Sequence, residues 1–542
     1  MASAKAKPVA RPGPQSRPAS QLASIAALAL LAFAVYANSL GNGFVGDDKL
    51  QLLANPLLTD VGRIPQIFGS GVWAFRGYHT NYYRPAQFLV YMLLYHAAGF
   101  QAVAFHLFMV LLHAGNTVLV YVLVSRLLSS ERNPAPALAA AALFAVHPIH
   151  SEVVDWVAAL PDLLLTTVVL AAMLAFVRQG GLPRGRQIAA HCGWYFAALL
   201  TKETGVMLVP LYLGLEWFWL GRPLREMRRN AALYGGMAAT LGVYLAMRAA
   251  ALGSLAPAQA TFYHLSPPEF LLSAVVTAAA YFEKLVLPIG LNYFHVFQPT
   301  RAINGTFLMA LAALAALAYA ALRLRRRALL SYGIFWIAAT IAPALNLTGV
   351  GQNVFAERYL YLPSVGLVWI AAAGWQRLAR WSPRAGWMAA AATLLACSAV
   401  TVLRNQDWKD DYTLLTVTLR QSPTAGHLHN DLAGVYIQRD EFRKALDEER
   451  LAVKYDPDAP AFHQNLGNIL LGMDARAAAA EFETVLKLQP TSAEAHSSLG
   501  LAWQALGDGD RAAAEFQRAL ALEPGLQEAA EGLAAIRRRS KP

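Results

Sequence analysis

The chain has 542 residues, 56% of them hydrophobic and 15% charged, with a formal net charge of +11. Soluble domains carry about a quarter charged residues, so this composition excludes a chain that is water-facing throughout. The positive charge falls in short clusters between apolar runs, which excludes a nucleic-acid footprint, and Cys192 and Cys397 lie in separate apolar segments, which excludes a disulfide framework or a cysteine metal site.

Residues 1–20 hold Pro8, Pro12, Pro14 and Pro18 with Lys5, Lys7, Arg11 and Arg17. They read as a disordered cytoplasmic tail. The apolar run that follows is long and lacks a clear small-x-small cleavage site, so it reads as a signal anchor. Apolar runs of about 18 or more residues mark membrane helices, and they recur to about residue 402. Eleven spans are expected: 21–40, 101–124, 137–147, 160–177, 187–201, 205–220, 230–252, 305–322, 329–346, 363–376 and 385–403. The third is too short to cross straight and reads as continuing past the bilayer edge. Stretches 85–99 and 269–288 break a strict alternation and are expected to lie at the outer surface or dip into the bilayer.

The loops set the orientation. One set holds Arg126, Arg132, Arg178, Arg184, Arg186, Arg222, Arg225, Arg228, Arg229, Arg323, Arg325, Arg326, Arg327, Arg377, Arg380 and Arg384. The alternate set holds Asp47, Asp48, Asp60, Glu152, Asp155, Asp162, Lys202, Glu203, Glu357 and Arg358. The arginine side is cytoplasmic by the positive-inside rule. An odd number of spans then places the C-terminal part outside.

After Arg404 the pattern changes. Residues 405–423 read as a polar linker with one amphipathic helix. Leu432, Leu466 and Leu499 then recur 34 and 33 residues apart, and Pro457, Pro490 and Pro524 recur at 33 and 34. With Gly467, Gly500, Ala445, Ala512, Phe482 and Phe516 between them, this resembles the tetratricopeptide repeat. Repeats are expected at 424–457, 458–490 and 491–524, followed by a capping helix. Stacked repeats present a curved surface for peptides or extended segments. The fold expected is therefore all-α: a polytopic helix bundle over 21–404 followed by a tetratricopeptide α-solenoid.

Ionisable residues at membrane depth are costly and point to function. Five clusters share the outer side: Asp47-Asp48, His147-Pro-Ile-His-Ser-Glu152, Asp162, Lys202-Glu203 and Glu357-Arg358. A carboxylate that deprotonates an acceptor, beside Lys or Arg that stabilises a leaving phosphate, would use such a set.

These residues also carry a resemblance. Phe44-Val-Gly-Asp-Asp48, Asn55-Pro56, Tyr83-Arg-Pro85, His106 and His113, His147 to Glu152, Pro161-Asp-Leu-Leu164, Lys202-Glu203 and Glu357 to Gly366 follow one another before the repeats. The order resembles that of the transmembrane and tetratricopeptide repeat-containing O-mannosyltransferases, of the GT-C glycosyltransferase superfamily. The resemblance implies a polyprenyl-phosphate sugar donor, a hydroxyl acceptor and inversion at the anomeric carbon. It implies Asp47 as general base, with Asp48 supporting it or exchanging roles. Lys202 and Arg358 would face the donor phosphate, and His147, His150, Glu152, Asp162, Glu203 and Glu357 would line the cavity. Ala159 and Leu160 stand where the family has Gly-Arg, so by the resemblance a phosphate contact is either lost or moved to Arg84; Gly46 and Met109 are further departures.

Each element also has a plainer reading. Asp-Asp in a loop is solvated or caps a helix. His106 and His113 share a helix face as packing or hydrogen-bonding residues. His147 and His150 have metal-like spacing without a third ligand. Lys202 suits snorkelling, Glu357-Arg358 a structural ion pair, and Tyr359 and Tyr361 an interfacial belt.

The function expected is transfer of mannose or another hexose to Ser or Thr hydroxyls of proteins. The same donor chemistry on a lipid or glycan acceptor, or a non-enzymatic membrane scaffold, stay open at this point. No cofactor is expected, although Asp47-Asp48 leaves a divalent metal open. Membrane lipid, the lipid-linked sugar and protein clients are the expected partners, with no nucleic acid. Composition favours a bacterial inner membrane with a periplasmic site; an endoplasmic reticulum membrane with a lumenal site follows the same logic.

Overall fold

The computed structural model describes residues 18–78, 80–128, 134–178, 183–255, 263–324, 327–347 and 353–539. Residues 1–17 of the expected tail lie outside these, and Pro18–Ser20 already open the first helix. The described residues are helical with no strand. The chain divides into two compact units, residues 1–410 and 411–542.

The first unit is a membrane bundle. Among the described residues, seven helices are long and apolar enough to cross a bilayer, and eight if one bent pair counts as a span. The bent pair is Ala135–Val146 with Pro148–Asp155, turned by 47°. His147 is extended there and Pro148 cannot continue the hydrogen-bond ladder, so the helix stops at Val146 and a short turn and helix follow over Pro148–Asp155.

Three of the eleven expected spans do not qualify, each for a local reason. Arg184–Thr201 opens on Arg184 and Arg186 and carries His191. The stretch 205–220 is a seven-residue helix, Leu208–Gly214, that runs into a π-turn at Leu215–Trp219. Ser364–Trp381 ends on Gln376, Arg377 and Arg380 and has one strongly apolar face. Pro85–Ala98 and Pro267–Val286 are helices and do not qualify as spans either.

Burial separates centre from rim. In Ala102–Leu128 and Val157–Arg178 more than half of the apolar window is buried, against 11% in Arg225–Leu252, Gly305–Arg323 and Pro383–Trp408. The first two are the core of the bundle. The last three expose residues such as Met309, Leu322, Trp387 and Leu395, as lipid-facing helices do.

Small residues set one close crossing. A Cβ on Gly366 would lie 2.6 Å from the Gly333 carbonyl, and one on Gly333 would lie 2.8 Å from that of Gly366. Gly366→Ala is therefore expected to cost about 1–3 kcal/mol, read as a fall in the detergent melting temperature, whereas Gly374→Ala, with open space around its Cβ, leaves it unchanged.

The stretch 405–423 is divided between the units. Asn405 and Trp408 are buried in the first, where the Trp408 indole stacks on Trp156 with centroids 6.2 Å apart. Asp411–Gln421 is a helix of the second. Three antiparallel helix pairs follow: Gly426–Ile437 with Phe442–Tyr455, Pro460–Leu471 with Ala475–Leu488, and Ala493–Ala505 with Gly509–Leu522. Gln527–Arg539 caps them. Gly467 and Gly500 let the rings of Phe482 and Phe516 reach the facing helix, at 2.4 and 2.7 Å from where a Cβ would stand.

Candidate active site

The loop after the first span is folded by its own residues. Gly46 adopts φ +51°, a left-handed turn that suits glycine. The Asp48 carboxylate accepts from the Val45 N–H at 3.2 Å and from the Ala158 N–H at 2.6 Å. Asp48 is fully buried and so pins the loop to the far segment 156–159. Burial pushes its carboxyl well above the usual range, opposed by those backbone N–H groups. His106 holds the same loop by donating to the Gly43 carbonyl at 3.2 Å, and the Gly43 N–H donates to the Lys409 carbonyl at 2.9 Å.

Asp47 is left for other work. It is half-buried and makes no hydrogen bond among the described residues. Burial raises its carboxyl above the usual range and the Arg358 guanidinium opposes that rise.

Three cation–carboxylate pairs stand in the loops around it, and the Arg358 pair is the one whose charge reaches Asp47. Arg358 donates to Glu152 at 2.7 Å through its side chain and at 2.8 Å through its backbone N–H. Lys202 donates to Asp162 at 2.6 Å. Arg84 donates to Glu203 through Nε and Nη2 at 3.1 and 3.0 Å, and the Tyr83 N–H completes that carboxylate at 3.1 Å. Aromatic rings join the pairs: Tyr359 lies 5.1 Å from the Lys202 ammonium and 4.9 Å from the Arg358 guanidinium, and Tyr82 lies 4.5 Å from that of Arg84. Tyr359 thus packs on two of the three cations.

Lys202 and Arg84 keep spare donors. Lys202 has three N–H donors and one is used here; Arg84 Nη1 makes no hydrogen bond among the described residues. The group can bind phosphate oxygens without losing its carboxylates. All its members stand at one end of the bundle, past the C-termini of 21–41 and 184–201 and at the N-terminus of 160–178, while Arg178, Arg184, Arg323 and Arg380 stand at the other.

The remaining expected residues lie elsewhere in the network. His150 is fully buried, bonded to the Ser364 hydroxyl at 2.8 Å and packed on Phe144 and Tyr361. His147 is buried and accepts from the Ile149 N–H at 3.3 Å. Their contacts are with the bundle interior, not with the three cations. Glu357 does not pair with its neighbour: it meets Arg404 at 2.8 Å, the Asn292 N–H at 2.5 Å and His295 at 3.2 Å. Tyr361 is buried and bonds His113 at 2.8 Å. The described residues hold no group of three or more His, Cys, Asp or Glu suited to a metal ion.

No family model matches the chain. The Mus musculus protein O-mannosyl-transferase TMTC3 is 26% identical over 504 residues, which cover 84% of this chain and 54% of that protein. The Homo sapiens protein O-mannosyl-transferase TMTC4 is 24% identical over 470 residues, 74% of this chain and 62% of that protein. The chain is similar to proteins named protein O-mannosyl-transferases. It spans about half the length of the curated relatives it matches. Among solved structures, the first tetratricopeptide domain of Spaghetti (RPAP3) bound to an HSP90 peptide overlaps 21% of this chain and 92% of its own, at 22% identity and TM-score 0.21.

Proposed function

We propose that this multi-pass membrane protein is a glycosyltransferase that moves a hexose, mannose first, from a polyprenyl-phosphate carrier to Ser or Thr hydroxyls of proteins. The observation that carries the reading is Asp47, a half-buried carboxylate without a hydrogen-bond partner among the described residues, acted on by the Arg358 guanidinium, which shares Tyr359 with Lys202. The names of the curated relatives point the same way.

Asp47 takes the proton of the acceptor hydroxyl as its oxygen bonds to the anomeric carbon. The bond from that carbon to the phosphate oxygen breaks, and its electron pair leaves on the polyprenyl phosphate. Arg358, Lys202 and Arg84 stabilise that charge. Attack opposite the leaving group inverts the anomeric centre. Asp48 acts through the loop and holds Asp47 in register.

The arginine-rich end is cytoplasmic by the positive-inside rule, so the site faces the extracytoplasmic side, where the repeats present clients. The Ala- and Arg-rich composition favours a bacterial inner membrane. The test uses purified protein in proteoliposomes with radiolabelled mannosyl-phosphate polyprenol and Ser/Thr peptides. Label in the peptide is the expected result; label that stays in lipid for every peptide tried would sink the protein acceptor.

A further inference from the structure

The first repeat differs from its sisters in its core. Glu449 stands 33 residues before Phe482, which stands 34 before Phe516. Ala433 likewise stands where the sisters have Gly467 and Gly500. The Phe516 ring packs against both Gly500 and Gly532, so this position faces the junction between the first helix of its own repeat and that of the next. By the same register Glu449 faces the junction of Gly426–Ile437 and Pro460–Leu471.

A carboxylate there is costly. Glu449 is 1% exposed and its Oε1 has no hydrogen-bond partner. The charge it feels is that of Asp431, on the exposed face of Gly426–Ile437. Burial and Asp431 together push the Glu449 carboxyl up to about 8. A buried acceptor without a donor destabilises a fold, and such departures from local consistency gather at functional positions.

Other acceptors of this unit are in the same state. Gln464 is 8% exposed, donates to Asn468 and Ser498, and leaves Oε1 unpaired; Gln504 Oε1 is unpaired as well. Asn465 donates to Asn430 at 2.7 Å and so links two first helices. Charge agrees: residues 411–542 hold 19 Asp and Glu against 14 Lys and Arg, in a chain of net charge +11.

We propose that the first repeat captures a lysine or arginine side chain of an extended polypeptide segment, the cation passing Asp431 to reach Glu449. This deepens the reading that the repeats present clients and names the chemistry of the client.

The test measures fluorescence anisotropy of a fluorescein-labelled peptide alternating Lys and Ser, on the full chain in phosphatidylcholine nanodiscs without sugar donor. Capture therefore fails or succeeds independently of transfer. The chain is expected to bind this peptide about tenfold tighter than its Glu–Ser counterpart. Glu449→Gln and Glu449→Phe are expected to weaken it about tenfold, and Glu483→Gln, at an exposed position on Ala475–Leu488, less than about twofold. Glu449→Phe made together with Ala433→Gly restores both residues of the sister repeats, so the melting temperature of that double variant is expected to rise, which separates lost binding from lost fold. Unchanged affinity in Glu449→Phe, an equal drop in Glu483→Gln, or no preference for the Lys–Ser peptide would each overturn the proposal.

Discussion

Asp47→Asn is expected to lower the rate of sugar transfer by about two to four orders of magnitude, the usual contribution of a general base, with the melting temperature unchanged. The side chain makes no hydrogen bond among the described residues, so the amide breaks nothing. Asp48→Asn is expected to behave differently. Its two oxygens accept from the Val45 and Ala158 N–H groups. An amide nitrogen in place of either oxygen faces a donor with a donor, so the loop shifts, and melting temperature and rate fall together. The rate also carries a pH signature. Asp47 works ionised, and burial holds its carboxyl above the ordinary carboxylate range. Activity therefore falls on acidification at a pH above about 3.9, the unperturbed value for Asp. The residual activity of Asp47→Asn is expected to lack that limb. Initial rates across the acid range, beside thermal melts of both variants, check the division of labour.

Arg404→Ala is expected to be the most destabilising single change in the membrane unit. Arg404 is buried at the end of the last span and donates to Glu357 at 2.8 Å, to Ser151 at 2.9 Å and to the Leu291 carbonyl at 2.8 Å. Removing it leaves Glu357 buried and charged, with only the Asn292 N–H and His295 to meet it. Breaking a buried pair from one side costs about 3–5 kcal/mol. Arg404→Met with Glu357→Leu, which removes both charges, is expected to recover most of that loss. Thermal unfolding of the single and double variants in one detergent decides it. An additive double variant would show that the two residues do not act as a pair.

The difference between these two sites shows what sequence reading reaches. The Asp47-Asp48 pair was legible from its place after the first span. The roles within it were not, because Asp48 is committed by an N–H 110 residues away, at Ala158. Lys202, Asp162, Arg84 and Glu203 were visible as charges at helix ends, and the partners they chose depend on how the helices meet. Glu357-Arg358 suggested an ion pair between neighbours, yet each side chain turns to a different partner. Arg404 closes an apolar run and reads as a terminal charge, so its burial left no mark in the local pattern. His147 and His150 drew notice by spacing, although the break at Pro148 turns them into the bundle. In the repeats, the 33–34-residue period placed every helix pair because each repeat buries its face against the next. Glu449 escaped that reading, since a search for shared residues passes over the position where one repeat differs.

The most direct test of Asp47 as the base of a protein glycosyltransferase is mass spectrometry of envelope proteins. Cells carry the wild-type chain or Asp47→Asn at matched protein levels. Hexose-sized mass increments on Ser or Thr are expected in the wild type and are expected to disappear in the variant. The same glycopeptides at the same occupancy in both would contradict the account.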